Sequence, residues 1–263
     1  PAGTDPCHVE IAPNGAFVSV ANFASGAVTI FPRDAQGDLQ ADKTIFQHEG
    51  SSVHPIRQKG PHAHSSLFAP DCPLMFVPDL GMDKVVAYRY DGASVCVDED
   101  ATITVERGCG PRYGEFAPNG KDFYLINEIG SRVMHYRYSA GNMTLCEETS
   151  TLPYGFTGEN ICSDLHITAD GKFLYASNRG HDSITAYHIL EDGSLAWIEC
   201  QPSGGKTPRN FALDRTGRYL LAENQDSDNI TVFAIGEDGR LTKQESYAFG
   251  SPVCIRFFKK TAF

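Results

Sequence analysis

No C-x-x-C pair, no strong excess of basic residues and no apolar run near the ~18 residues of a membrane-crossing helix occurs in these 263 residues. The first absence argues against a structural zinc site. The second, with a net charge of -11, argues against a nucleic-acid partner. The third argues against a membrane span. A Gly-x-Ser-x-Gly elbow, a P-loop and a dinucleotide fingerprint are missing too, which removes three common enzyme classes. No leader-like stretch precedes the first apolar segment. No stretch holds a 3.6-residue apolar period, so almost no helix is expected. The eight cysteines sit singly, mostly inside apolar runs. That pattern predicts free thiols in a reducing, cytoplasmic setting.

What the chain has instead is a repeat. PCHVEIAPNGAFVSVANFASGAVTIF from Pro6 is echoed by PRYGEFAPNGKDFYLINEIGSRVMHYRY from Pro111 and by PRNFALDRTGRYLLAENQDSDNITVF from Pro208. Segments from Ala63 and Cys162 follow the same plan, and PVCIRFF from Pro252 starts a sixth copy. The mean spacing is about 49 residues, the length of a propeller blade. Each copy reads as four strands. Asn14-Gly15, Asn119-Gly120 and Asp170-Gly171 mark the first hairpin turn, and the second strand ends in Asn22, Asp79, Asn127, Asn178 or Asn224. The expected architecture is an all-β propeller of four-stranded antiparallel blades forming one domain over residues 1–263. It comprises five blades plus a final strand, Pro252 to Phe258.

Positions shared by all copies build the fold, so chemistry is sought where equivalent positions diverge. The residue opening the first strand is Cys7, His64, Arg112, Ser163 or Arg209. The residue after the strand-ending Asn or Asp is Phe23, Leu80, Glu128, Arg179 or Gln225. Antiparallel pairing places the start of one strand beside the end of the next. In a propeller the first strand lines the central channel. His64, Arg112, Glu128, Arg179 and Arg209 should therefore converge at one mouth of it.

Arginines there form a local anion site, because guanidinium grips phosphate or carboxylate through a planar fork. His and Glu can move protons near neutral pH. The set suits water activation on a lactone or ester carbonyl, or proton transfer beside a carbonyl, in an anionic substrate. Each arginine alone could equally pair with a neighbouring carboxylate. His62 of GPHAHS is a second candidate for substrate contact. His181 and Asp182 read as loop residues, and NQDSDN, lacking the Gly and final Glu of a calcium loop, reads as a turn.

GPHAHSSLFAPD, VPDLGMDKV, GPRYGEFAPNGK, YLINE, ASNRGHDSI and the segment from Pro208 resemble the lactonase family of seven-bladed β-propellers. That family includes cycloisomerase-type 6-phosphogluconolactonases and the carboxy-cis,cis-muconate cyclase. The resemblance implies hydrolysis of 6-phospho-D-glucono-1,5-lactone to 6-phosphogluconate, in the pentose phosphate pathway, without metal or cofactor. By motif it implies catalytic roles for His64, Arg112, Glu128 and Arg179. Arg209 joins them from geometry. Arg179 and Arg209 are expected on the phosphate and Arg112 on the lactone carbonyl. Glu128 and His64 divide the proton transfers. A cycloisomerase acting on a carboxylated muconate and a non-catalytic interaction scaffold are the alternatives. Oligomeric state is not legible. Against a seven-bladed family, five blades and a strand, with Pro rather than Met first, give the expectation of ~75–80 further residues on the N-terminal side.

Overall fold

The computed structural model describes residues 3–257. Those residues form five four-stranded sheets, each ordered as its strands occur in the chain. The first sheet contains β1 (Pro6–Ile11), β2 (Phe17–Asn22), β3 (Ala27–Pro32) and β4 (Thr44–Gln47). The second contains β5 (Leu67–Phe68), β6 (Leu74–Asp79), β7 (Lys84–Asp91) and β8 (Ser94–Thr104). The third contains β9 (Pro111–Phe116), β10 (Asp122–Asn127), β11 (Arg132–Ser139) and β12 (Asn142–Ser150). The fourth contains β13 (Ile161–Ile167), β14 (Phe173–Arg179), β15 (Ser183–Ile189) and β16 (Leu195–Pro202). The fifth contains β17 (Pro208–Leu213), β18 (Tyr219–Asn224), β19 (Asn229–Ile235) and β20 (Leu241–Ala248). Among the described residues the only helix is a 3-10 turn, Gln225–Ser227, inside the segment read as a turn. No helix there is long and apolar enough to cross a membrane.

The repeated residues do the structural work that the pattern predicts. Gly15, Gly120 and Gly171 close their hairpins at φ of 71°, 66° and 73°, the left-handed region that glycine enters without strain. The strand-ending Asn178 is fully buried. Its amide donates to Thr151 O at 2.9 Å and Thr185 Oγ1 at 3.1 Å, fastening the turn to the third strand. Asp79 stands at the same place in the second sheet and can only accept. It takes the N–H groups of His62 (2.8 Å), Gly81 (3.0 Å) and Met82 (3.1 Å) and pairs with His48 Nδ1 at 2.6 Å.

Apolar residues facing off each sheet interlock with the next. Tyr124 and Ile126 pack with Leu165, Leu174 and Tyr187; Tyr175 and Ala186 pack with Phe211, Leu220 and Phe233. Four such clusters join successive sheets, and among the described residues none joins the fifth to the first. The five blades therefore form an open arc. Accordingly, Val9 and Ile11 of β1 are 60% and 50% exposed, whereas β13 is largely buried.

One expectation fails here. Residues 252–257 form no strand, and Phe258 lies outside the described residues. A strand needs a neighbour's ladder of backbone groups. Ile255 N instead donates to a side chain, Asn210 Oδ1, at 3.4 Å.

Candidate active site

The inner strands do not pair regularly where the site residues lie. In the first sheet Pro6 opposes Asn22 and His8 opposes Ala21, leaving Cys7 as an extra residue. Arg112 is left over in the same way between Pro111 and Tyr113, and Arg209 between Pro208 and Asn210. Ser163 and Asp164 occupy the gap in the fourth sheet. A bulge bends the strand and re-aims the extra side chain. At Cys7, Arg112 and Arg209 the diverging position of the repeat is thus the bulge position, and these three side chains leave the sheet for the channel, whereas Ser163 does not line it.

They enter one cavity of about 790 Å³, lined by all five expected residues, His64, Arg112, Glu128, Arg179 and Arg209. His62 is not among the lining residues. Its ring stacks on Phe23 at 4.5 Å and 13°, and its Nδ1 lies 2.8 Å from Phe23 O. Its backbone N–H donates to Asp79 Oδ1 at 2.8 Å. His62 supports the wall rather than forming it. Leu80 and Gln225, at positions equivalent to Glu128, do not line the cavity either.

Glu128 is 2% exposed and is the centre of the site. Its Oε2 accepts from Arg112 Nε at 3.0 Å and from Arg179 Nη2 at 2.8 Å. Its Oε1 pairs with Arg57 Nη2. Burial alone would raise the carboxyl pKa. Arg179, Arg112 and Arg57 outweigh it and hold the group below its ordinary 4.5. Arg112 and Arg179 are fixed a second time, to Ser163 O and, at 2.8 Å, to Cys162 O. Each guanidinium is therefore anchored to both the carboxylate and the backbone, with further N–H groups left over. Among the described residues no hydrogen bond or ion pair reaches the Arg209 guanidinium, which is half-buried and faces the cavity.

His64 is 8% exposed, with its ring edge-on to Phe23 at 5.5 Å. Burial, then the Arg112 charge, hold its pKa well below 6.5, so the imidazole is neutral near pH 7. A second layer lies deeper along the inner strands. Ser66 N donates to His8 Nδ1 at 3.3 Å, and burial with the Arg256 charge lowers His8 to about 4. Asp164 pairs with His166 Nε2 at 3.1 Å, and Glu115 with His166 Nδ1 at 3.0 Å. Burial opposes charge on His166, but the two carboxylates lift it to about 10.

Arg57, His8, Asp164 and Asn210 line the cavity but lie outside the two compared positions. Arg57 belongs to the connection between the first and second blades, which has no counterpart to compare. The other two inner-strand residues and His8 share a repeat column with Ser65 and Tyr113 that is polar throughout, so that signal was present in the sequence. Asp182 is a loop residue: at φ 53° it accepts from Thr207 N at 2.8 Å. Among the described residues no group of three His, Cys, Asp or Glu is placed to hold a metal ion. All eight cysteines are free.

The sequence matches the family described as lactonase, 7-bladed beta-propeller, over residues 1–257. The chain belongs to this lactonase family. It is 35% identical over 218 residues to a 6-phosphogluconolactonase of Bacillus subtilis, covering 81% of this chain and 61% of that protein. It is 36% identical over 219 residues to a 6-phosphogluconolactonase of Formosa agariphila, covering 81% and 62%. The chain thus spans about three-fifths of the length of these curated relatives. Its structure resembles that of the periplasmic gluconolactonase of Pseudomonas aeruginosa with a TM-score of 0.91 and 32% identity, covering 97% of this chain and 73% of that one.

Proposed function

We propose that the protein hydrolyses an anionic sugar lactone, with 6-phospho-D-glucono-1,5-lactone the leading substrate. The observation that carries this reading is one cavity holding an ionised Glu128 among arginines, a neutral His64 and an unpaired Arg209. Five arginines face three acidic residues in its lining, in a chain of net charge -11, which favours an anionic ligand. Relatives named 6-phosphogluconolactonase support the choice of lactone.

In this mechanism Arg209 holds the phosphate. The N–H groups of Arg112 and Arg179 not taken by Glu128 face the carbonyl oxygen and stabilise the oxyanion as it forms. Water attacks C1, oriented by Glu128, while His64 takes its proton. The tetrahedral intermediate collapses, the C1–ring-oxygen bond breaks, and His64 returns the proton to the departing oxygen. Arg179 therefore belongs to Glu128 and the carbonyl, and Arg209 to the phosphate.

Such a product fits the oxidative branch of the pentose phosphate pathway. The eight free thiols support a cytoplasmic setting. The protein is tested by following ring opening of the phosphorylated lactone above its spontaneous rate, with a carboxylated muconate as the competing substrate. Turnover of the lactone supports the reading. Turnover of the muconate alone, or of neither, overturns it.

A further inference from the structure

Three guanidiniums meet Glu128, and they are not equivalent. Arg112 and Arg179 come from the sheets, are 8% and 10% exposed, and are each tied to a backbone carbonyl as well. Arg57 comes from the connection between β4 and β5, and its side chain is 37% exposed. Its guanidinium also lies over the Phe23 ring, 5.9 Å from the centroid. The backbone beneath it is fixed. The adjacent Gln58 is fully buried, donates to Leu80 O at 2.8 Å and accepts from His54 N at 3.0 Å. The connection also passes so close to the second sheet that a Cβ on Gly81 would lie 1.8 Å from Gly60 O. The connection is therefore anchored, and Arg57 is the most exposed of the three guanidiniums and, among the described residues, the one not tied to a backbone carbonyl.

The oxygens of Glu128 differ accordingly. Oε2 is occupied by two framework arginines, and Oε1 by Arg57 alone. A guanidinium on Oε1 takes one of its two acceptor sites and offsets its negative charge, which weakens it as an acceptor for water.

We propose that Arg57 is a substrate-charge switch, resting on Glu128 Oε1 in the free protein and moving to the anionic group of the substrate. Its departure frees Oε1 to orient the attacking water. A phosphorylated lactone thereby unmasks Glu128, and a neutral lactone leaves it covered. Phosphate specificity then arises from Arg57 and not from Arg209 alone. Only the arginine changes partner, and no covalent bond is made or broken. This inference rests on the lactonase reading above.

The test compares 6-phosphogluconolactone with unphosphorylated gluconolactone in the wild type and Arg57→Gln. The switch predicts opposite movements: kcat/KM falls at least tenfold for the phosphorylated lactone and rises at least twofold for the neutral one. Any other pattern, including a common fall or no change, overturns it. Arg57→Lys, which keeps the charge, should retain part of the preference, and it carries the same test if the Gln variant melts early. If the wild type opens neither lactone, the hydrolytic reading has failed, and calorimetry with 6-phosphogluconate and gluconate decides the switch separately. Preferential binding of 6-phosphogluconate that Arg57→Gln removes supports it. Equal binding of the two acids by the wild type overturns it.

Discussion

Arg112 Nε donates to Glu128 Oε2 at 3.0 Å across 16 positions of sequence, joining the bulge of β9 to the residue that follows β10. That bond couples the fold of one blade to the charge of the whole cavity. Glu128→Gln would leave Arg112 and Arg179 buried without a counter-charge. Breaking a buried pair from one side costs about 3–5 kcal/mol. A thermal melt should show a drop on the order of 10 °C, with lactone turnover lost. A variant melting like the wild type would mean that the arginines do not depend on Glu128.

His64 is neutral over a wider range than an ordinary histidine because burial and Arg112 lower its pKa. If it takes the proton of water, kcat/KM should stay flat as pH falls through 6.5 and decline only well below. His64→Ala should lower kcat by roughly 10²- to 10⁴-fold. A pH–rate profile breaking at 6.5 would point to a different base.

Among the described residues no hydrogen bond or ion pair reaches the Arg209 guanidinium, which faces the cavity. Arg209→Ala should raise KM for a phosphorylated lactone roughly 10- to 100-fold, the loss of one charge-assisted hydrogen bond. Its melting temperature should match the wild type. Steady-state kinetics and a melt on the same sample check both halves.

Glu223 is fully buried on β18, and among the described residues neither of its carboxyl oxygens has a hydrogen-bond partner. Burial, with the Asp164 charge, raises its pKa to about 8 from 4.5. The folded protein then binds a proton that the unfolded chain releases between these values. The stability contribution is fully present below about pH 4.5 and lost as pH rises towards 8. Glu223→Gln should melt above the wild type at pH 8, and the difference should shrink towards pH 5. A constant difference across that range would show that the carboxyl does not titrate in folding.

The repeat made the blades legible because turn chemistry recurs at fixed offsets, as at Gly15, Gly120 and Gly171. Comparing equivalent positions also found the cavity, since a residue that differs between blades at a bulge has been released from the sheet. The same comparison was blind to Arg57, whose connection belongs to no blade. It also could not separate His62 from His64. They are two residues apart and both touch Phe23, and only the folded structure shows that His64 lines the cavity while His62 does not. The final strand over Pro252–Phe258 failed for a related reason: sequence specifies a strand, but pairing requires a neighbour. The different bonding of the arginines was likewise hidden. Arg179 and Arg209 look alike in sequence, and the hydrogen bonds of Arg179 to Glu128 and Cys162 O alone set them apart.

The most direct test of the account is the initial rate of 6-phosphogluconolactone opening, measured beside the spontaneous reaction for the wild type, His64→Ala and Arg209→Ala. The account predicts a wild-type rate well above background, a loss in kcat for His64→Ala and a loss in KM for Arg209→Ala. A wild-type rate equal to background, or activity that both variants retain in full, would contradict it.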